Sequence, residues 1–294
     1  MNIIMEKYIK DMCAFIAAEG YLCEKTVDIP YGKQIYVSDG VKTHLLRVYQ
    51  NKKGKITLDN SPVKSEALKK LLMDFNCSDE DRILLRPPLI GSDEAGKGDY
   101  IGPLTVAAVY ADEKMYDSLI TCGVKDSKKL TDDKIEKLQS DIIRICPFYS
   151  IIEIGNARFN EIYEKTPNIN VLLTWAHAKA IKNVLGQIPC TNVLTDKFSF
   201  EGRLENALKD ENINLVQKPK GEQNAAVAAA SILARYTYMH KLKLMSEKYG
   251  VNFCAGAGEN ADNAAREFVK KHGGNKLAEI CKISYKNTQK VIIK

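Results

Sequence analysis

Ile90-Gly91-Ser92-Asp93-Glu94-Ala95-Gly96-Lys97-Gly98-Asp99-Tyr100-Ile101-Gly102-Pro103-Leu104 is the most informative stretch of this chain. An apolar strand runs into two adjacent carboxylates and then into a glycine-rich turn. Neighbouring side chains on a strand point to opposite faces, so a twist or bulge is expected before Asp93 and Glu94 reach one site. Gly96 and Gly98 permit such a bend and let backbone N–H groups approach a ligand closely. Lys97 stands between them as a cation on a loop without side-chain neighbours. Taken alone, an Asp-Glu pair ahead of glycines also describes an ordinary surface turn, so other parts of the chain must decide.

Two further segments do. Val193-Leu194-Thr195-Asp196 is an apolar strand that again ends in Asp. Gln217-Lys218-Pro219-Lys220-Gly221-Glu222 places Glu222 just ahead of the alanine-rich run 224–232. Carboxylates at strand ends and at a helix start predict one cluster at the carboxyl edge of a sheet. Oxygen-only ligands favour Mg²⁺ or Mn²⁺ over Zn²⁺. Two such ions about 3.5–4 Å apart suit phosphodiester hydrolysis. The four histidines, His44, His177, His240 and His272, are scattered, which argues against a histidine-based zinc site or a histidine-dependent triad.

Outward from these segments, strands are expected at 88–93, 103–110, 148–155, 191–196 and 213–217, with helices at 113–121, 131–145, 169–186, 222–248 and 260–272. Their alternation predicts an α/β fold with a mixed five-stranded sheet and flanking helices. The first 76 residues read as a separate small α+β domain. It has helices over 5–18 and 64–75 and extended segments at 33–38, 42–49 and 54–58, with Asp39-Gly40 as a tight-hairpin signal. Residues 77–87 open on polar Ser78, Asp79, Glu80 and Asp81 and are stiffened at their end by Pro87-Pro88, which reads as a linker to a catalytic region over 88–294.

Composition narrows the function classes. The 294 residues are 45% hydrophobic and 27% charged, enough to bury a core and too apolar for a disordered chain. No apolar run approaches the roughly 18 residues of a membrane span, and the residues from Met1 to Lys7 do not resemble a secretory signal. A net charge of +6 leans mildly toward anionic partners. Eight dispersed cysteines with no C-x-x-C pair are expected to be reduced thiols of a cytoplasmic protein.

Asp93-Glu94-Ala95-Gly96-Lys97-Gly98 followed by Gly102-Pro103 resembles the signature of type 2 ribonucleases H. The resemblance continues in 125–130 (Lys-Asp-Ser-Lys-Lys-Leu) and in 228–235 (Ala-Ala-Ala-Ser-Ile-Leu-Ala-Arg), and covers about residues 88–290. The N-terminal extension, the stretch from Asn168 to His177 and the Asn287-Thr288 tail look like the ribonuclease HIII branch rather than HII. The extension is similar to half of a TATA-binding-protein-like fold, which in this family helps to grip substrate. The resemblance implies a ribonuclease H-like fold and an endonuclease acting on the RNA strand of RNA–DNA hybrids, using two Mg²⁺ or Mn²⁺ ions and leaving 5′-phosphate and 3′-hydroxyl ends. It implies that Asp93, Glu94, Asp196 and Glu222 are the metal-binding carboxylates. In the last position many type 2 enzymes carry Asp. It also implies that Gly96, Lys97 and Gly98 read 2′-hydroxyls through their backbone and that Ser127 and Lys128 lie near the substrate backbone. A monomer without membrane association is expected. Two other functions compete with this one: ribonuclease HII-like cleavage at single ribonucleotides in duplex DNA, and non-catalytic hybrid binding. HII-type enzymes carry a tyrosine near the site in the C-terminal region, and the comparable stretch here, 251–259, has none.

Three further expectations bear on the site. Trp175 is read as a core residue and His177 as a packed or hydrogen-bonded one, with a substrate-side histidine as the alternative. Lys33, Lys42, Arg47, Lys52, Lys53 and Lys55, with Tyr36 and Tyr49, are read as either a solvated turn region or a phosphate-tracking surface.

Overall fold

The computed structural model describes residues 3–51, 54, 56–76, 86–124, 130–198, 202–219 and 221–292. The chain forms two compact units, Met1–Ile83 and Leu84–Lys294.

In the first unit, helix α1 (Ile3–Ala17) buries Met5, Ile9, Met12 and Ile16, one stripe at helical spacing. Gly20, at φ +84°, follows its end. Strands β1 (Leu22–Ile29), β2 (Gly32–Ser38), β3 (Thr43–Gln50) and β4 (Ile56–Asp59) form an antiparallel sheet in that order, and α2 spans Glu66–Asn76. Strand alternation sends Ile35, Val37, Leu46 and Val48 into one core with the α1 stripe and with Leu68 and Leu72 of α2. The opposite sheet face carries Gln34, Tyr36, Leu45, Arg47 and Tyr49, all only half-buried.

Three expectations change here. Strand β1 has no counterpart in the sequence reading. It is an edge strand with Glu24, Lys25, Thr26 and Asp28 exposed and a register shift between Cys23 and Lys25, so its apolar alternation is broken. The cysteines are not all reduced: Cys13 and Cys23 form a disulfide, because α1 and β1 bring their Cα atoms to 5.9 Å. The basic groups do not share one surface. Arg47 lies on the open face with Tyr36 and Tyr49 and faces Asp59 at 3.5 Å, whereas Lys33 alternates away and pairs with Asp28 at 2.9 Å. Lys42 is exposed in the hairpin turn. Lys52, Lys53 and Lys55 lie outside the described residues.

The second unit is a three-layer α/β structure. Its sheet has the order β7-β6-β5-β8-β9, formed by β5 (Leu89–Ala95), β6 (Leu104–Ala111), β7 (Tyr149–Ile154), β8 (Asn192–Asp196) and β9 (Asn214–Lys218). Strand β5 pairs antiparallel with β6 and parallel with β8, and β8 pairs parallel with β9. Every residue of β6 is buried, as expected of a strand covered on both faces. Helices α3 (Glu113–Thr121), α4 (Asp132–Ile145) and α8 (Ala225–Tyr249) share one core with the sheet. Helices α5 (Asn156–Lys165), α6 (Ile169–Leu185) and α7 (Arg203–Ala207) share the other. A third cluster joins the second half of α8, α9 (Glu259–His272) and the C-terminal segment that ends in α10 (Asn287–Ile292).

The alanine run of α8 has a steric cause. A Cβ placed on Gly91 of β5 would stand 2.3 Å from the Ala226 carbonyl carbon and the Val227 nitrogen. Strand and helix backbones therefore touch, which only Gly opposite small residues allows. The sequence reading omits α5, α7 and α10. Helix α5 has only Phe159 as a fully buried large apolar residue, too sparse a stripe to register as periodicity. Trp175 is corrected as well: it is 54% exposed on α6, not in the core.

Candidate active site

Strand β5 carries Asp93 and Glu94 at the edge of the sheet. Its ladder with β6 continues unbroken through Asp93↔Ala107, Glu94↔Val106 and Ala95↔Thr105, so the anticipated bulge is absent. Asp93 instead meets Asp196 because the parallel β5–β8 pairing ends at Ser92↔Thr195. One residue further along each strand, Asp93 and Asp196 leave the ladder side by side. Asp93 turns toward α8, where Ser231 hydrogen-bonds it, and Glu94 turns toward α6. Asp93, Glu94 and Asp196 line one open cavity of about 410 Å³ together with Gly96, Lys97, Gly98, Ser231, Arg235 and Ala255.

Electrostatics mark this cavity as built for a cation. Burial, then the charges of Glu94 and Asp196, push the Asp93 carboxyl up to about 7, against hydrogen bonds from Ser231 and the Glu94 N–H. Burial also pushes the Glu94 carboxyl upward. His177 and Lys97 more than offset it, so the net direction is down. His177 is fully buried, with Nε2 3.2 Å from Glu94 Oε2, Nδ1 2.7 Å from the Ser92 hydroxyl and its ring stacked on Phe198 at 4.3 Å. Lys97 Nζ stands 3.4 Å from Glu94 Oε1. A side chain read as packed or hydrogen-bonded is both, and its partner is a site carboxylate that it braces. The sequence gives no sign of that partner, because 83 residues separate the two.

Glu222 is placed differently. It sits in a 3-10 turn over Gly221–Gln223, half-buried and ahead of α8 rather than within it. Its neighbour Gly221 packs on Asp196: the Gly221 N–H donates to Asp196 Oδ1 at 3.1 Å, and a Cβ there would meet the Asp196 backbone at 3.0 Å. The turn carries Glu222 beside Asp196, but its side chain does not line the cavity. Among the described residues, no three His, Cys, Asp or Glu side chains stand close enough to hold an ion as they are. What fits a divalent cation is the donor chemistry: three oxygen-bearing acids in one cavity, one of them pushed upward by burial and by the charge of the others. Ser127 and Lys128 lie outside the described residues.

The loop after β5 reverses at Gly96 (φ +86°) and Gly102 (φ +89°). A Cβ on Gly96 would stand 2.3 Å from the Pro103 carbonyl oxygen, so the position admits only glycine. Among the described residues, the N–H groups of Lys97 and Gly98 have no hydrogen-bond partner within the chain. They are free donors beside the acidic cavity. Phe253, from the stretch compared with the HII-type tyrosine, is buried against Tyr249 and Phe268, and Ala255 lines the cavity instead.

The chain matches known proteins over this unit. The family model described as Ribonuclease HII matches residues 90–288. A ribonuclease HIII of Protochlamydia amoebophila is 39% identical over 207 residues, covering 70% of this chain and 68% of the relative. One of Chlamydia pneumoniae is 41% identical over 214 residues, covering 69% and 70%. Among solved structures, a mutant protein of Bst-RNase HIII superposes with a TM-score of 0.65 at 25% identity, covering 95% of this chain and 94% of that one. Bst-RNase HIII in complex with Mn²⁺ gives 0.66 at 23% identity over 97% and 95%, a likeness of fold. The carboxylate-edged sheet, the glycine loop and these matches agree: the chain belongs to the type 2 ribonuclease H family, on its ribonuclease HIII branch.

Proposed function

We propose that this protein is a metal-dependent endoribonuclease that hydrolyses the RNA strand of RNA–DNA hybrids, leaving 5′-phosphate and 3′-hydroxyl ends. The observation that carries the reading is the convergence of Asp93, Glu94 and Asp196 on one cavity beside two free backbone donors. Asp93, Glu94 and Asp196 would hold two Mg²⁺ or Mn²⁺ ions, with Glu222 completing the set from its turn. Ions held by these carboxylates would supply activation of the attacking water and relief of charge on the leaving 3′-oxygen.

The remaining work belongs to the chain. Ser231 and the Glu94 N–H orient the Asp93 carboxylate, and His177 and Lys97 orient that of Glu94. The N–H groups of Lys97 and Gly98 serve as donors to 2′-hydroxyls, which separate RNA from DNA and which the flanking glycines let the backbone approach closely. A substrate-contacting role of Ser127 and Lys128 belongs to the same proposal. The direct test incubates the full chain with uniform RNA–DNA hybrid, RNA duplex and DNA duplex, each with Mg²⁺, Mn²⁺ or EDTA. Cleavage of the hybrid alone, silenced by EDTA, is expected. Intact hybrid in every metal would leave a binding protein, the reading from another class.

The first unit is proposed to grip substrate as a TATA-binding-protein-like domain. Its open sheet face, with Tyr36, Tyr49 and Arg47, offers aromatic and cationic contacts to a nucleic-acid backbone. A chain starting at Arg86 should keep cleaving while binding hybrid more weakly. Its salt dependence should flatten by about one unit of slope per lost phosphate contact. Equal affinity and equal slope would make this unit a structural appendage. No helix among the described residues is long and apolar enough to cross a membrane. A monomer working in the cytoplasm is part of the proposal.

A further inference from the structure

Lys282 is a lysine with no exposed surface. Its ammonium donates to the carbonyl oxygens of Gly102 at 2.7 Å, Asp99 at 2.8 Å and Pro103 at 3.3 Å, and lies 5.6 Å from the Phe159 ring centroid. Three N–H donors meet three acceptors, so the charge is fully coordinated by one loop. Burial pushes the group down to about 8, with Asp99 and Cys281 acting the other way, and three carbonyl acceptors match the three N–H groups of the ammonium form. A buried ammonium held by neutral carbonyls alone is still costly, and an apolar side chain would fill this core position at less cost. The charge therefore calls for a reason beyond packing.

The loop it grips is the one that follows Asp93 and Glu94. Around it, the C-terminal segment adds further ties: the Tyr285 hydroxyl donates to the Lys97 carbonyl, the Lys282 N–H to the Tyr100 carbonyl at 2.9 Å, and Ile101 forms an isolated bridge with Cys281. The consequence is an asymmetry. The carbonyls of Lys97, Asp99, Gly102 and Pro103 are all turned to internal donors, while the N–H groups of Lys97 and Gly98 stay free beside the cavity. A glycine-rich loop left to itself would sample many conformations and expose acceptors as readily as donors.

We infer that Lys282, assisted by Tyr285, is a positioning residue for substrate recognition: it clasps the carbonyls of Asp99, Gly102 and Pro103 so that the N–H groups of Lys97 and Gly98 stay turned to the ribose of the RNA strand. This rests on the loop reading 2′-hydroxyls as proposed above. A purely structural anchor of the C-terminal segment would instead affect all duplexes alike.

The test measures binding of uniform RNA–DNA hybrid and of DNA duplex of the same sequence to the full chain in EDTA, where no strand is cut. Lys282→Met keeps the length and removes the donors. It should lower hybrid affinity about tenfold, the loss expected for a charge-assisted hydrogen-bond set, while DNA duplex affinity stays within about twofold. Tyr285→Phe, which removes one hydroxyl from a retained ring, should shift the same ratio in the same direction by less. It gives the answer even if Lys282→Met does not fold. Gly98→Ala is the control for the loop reading: a Cβ there meets nothing within 4 Å inside the protein, so it intrudes only on bound substrate. If Gly98→Ala lowers the hybrid-to-DNA ratio and the folded clasp variants do not, the clasp is overturned and the loop reading stands. If Gly98→Ala leaves the ratio unchanged, the loop reading falls, and the clasp's role in recognition falls with it.

Discussion

Asp93→Asn, Glu94→Gln and Asp196→Asn should each slow hydrolysis of a uniform RNA–DNA hybrid by about a thousandfold, close to 4 kcal/mol of transition-state stabilisation. The three acids share one cavity, so removing any of them weakens the hold on both ions. Double variants should then lose little more than single ones. Glu222→Gln should cost less, because its side chain stands outside the cavity lining. Folding is a separate readout. Asp93 is held up to about 7 in the folded chain, above the ordinary range of an unfolded aspartate. With its folded value raised, the ionised carboxylate disfavours the native state as pH climbs through the window from about 4 to about 7. Asp93→Asn removes that buried charge and should melt no lower than the parent at pH 7.5 without divalent ions. Added Mg²⁺ or Mn²⁺ should raise the melting temperature of the parent but not of this variant. Near-normal cleavage by Asp196→Asn in Mg²⁺ would sink the assignment of the site.

The second large effect concerns substrate choice. In Mg²⁺, cleavage at one ribonucleotide embedded in duplex DNA should run about a hundredfold slower than cleavage of a uniform hybrid, a difference of about 2.7 kcal/mol. HII-type recognition of such a junction resembles a task for a tyrosine near the site. Here Ala255 lines the cavity, Phe253 is buried in the C-terminal core, and the hydroxyls of Tyr238 and Tyr285 are already given to the carbonyls of Ile101 and Lys97. No aromatic hydroxyl among these remains to reward an RNA-to-DNA step, so grip must come from several consecutive ribonucleotides. Manganese tolerates looser coordination, so the comparison belongs in Mg²⁺. Comparable rates on the two substrates would move the protein to HII-like repair while leaving the carboxylate argument in place.

The sequence alone determined the five strands of the larger unit and its helices α3, α4, α6, α8 and α9, whose apolar patterns are strong. Strands ending in Asp93-Glu94 and Asp196 announced an acidic sheet edge, because a strand end is where alternation stops burying side chains. Gly96 and Gly98 announced a bend and a close backbone approach, and the structure puts the left-handed turns at Gly96 and Gly102. What lay beyond the sequence was whatever depends on partners distant along the chain. That Asp93 and Asp196 emerge side by side follows from where the β5–β8 ladder ends, a matter of register. That His177 braces Glu94, that Trp175 faces outward and that Cys13 meets Cys23 depend on which helix face packs where. Lys282 is the sharpest case. In sequence it is one of many lysines, nearly two hundred positions from the loop it holds, and only the tertiary fold withdraws its charge from water and supplies three carbonyls to receive it.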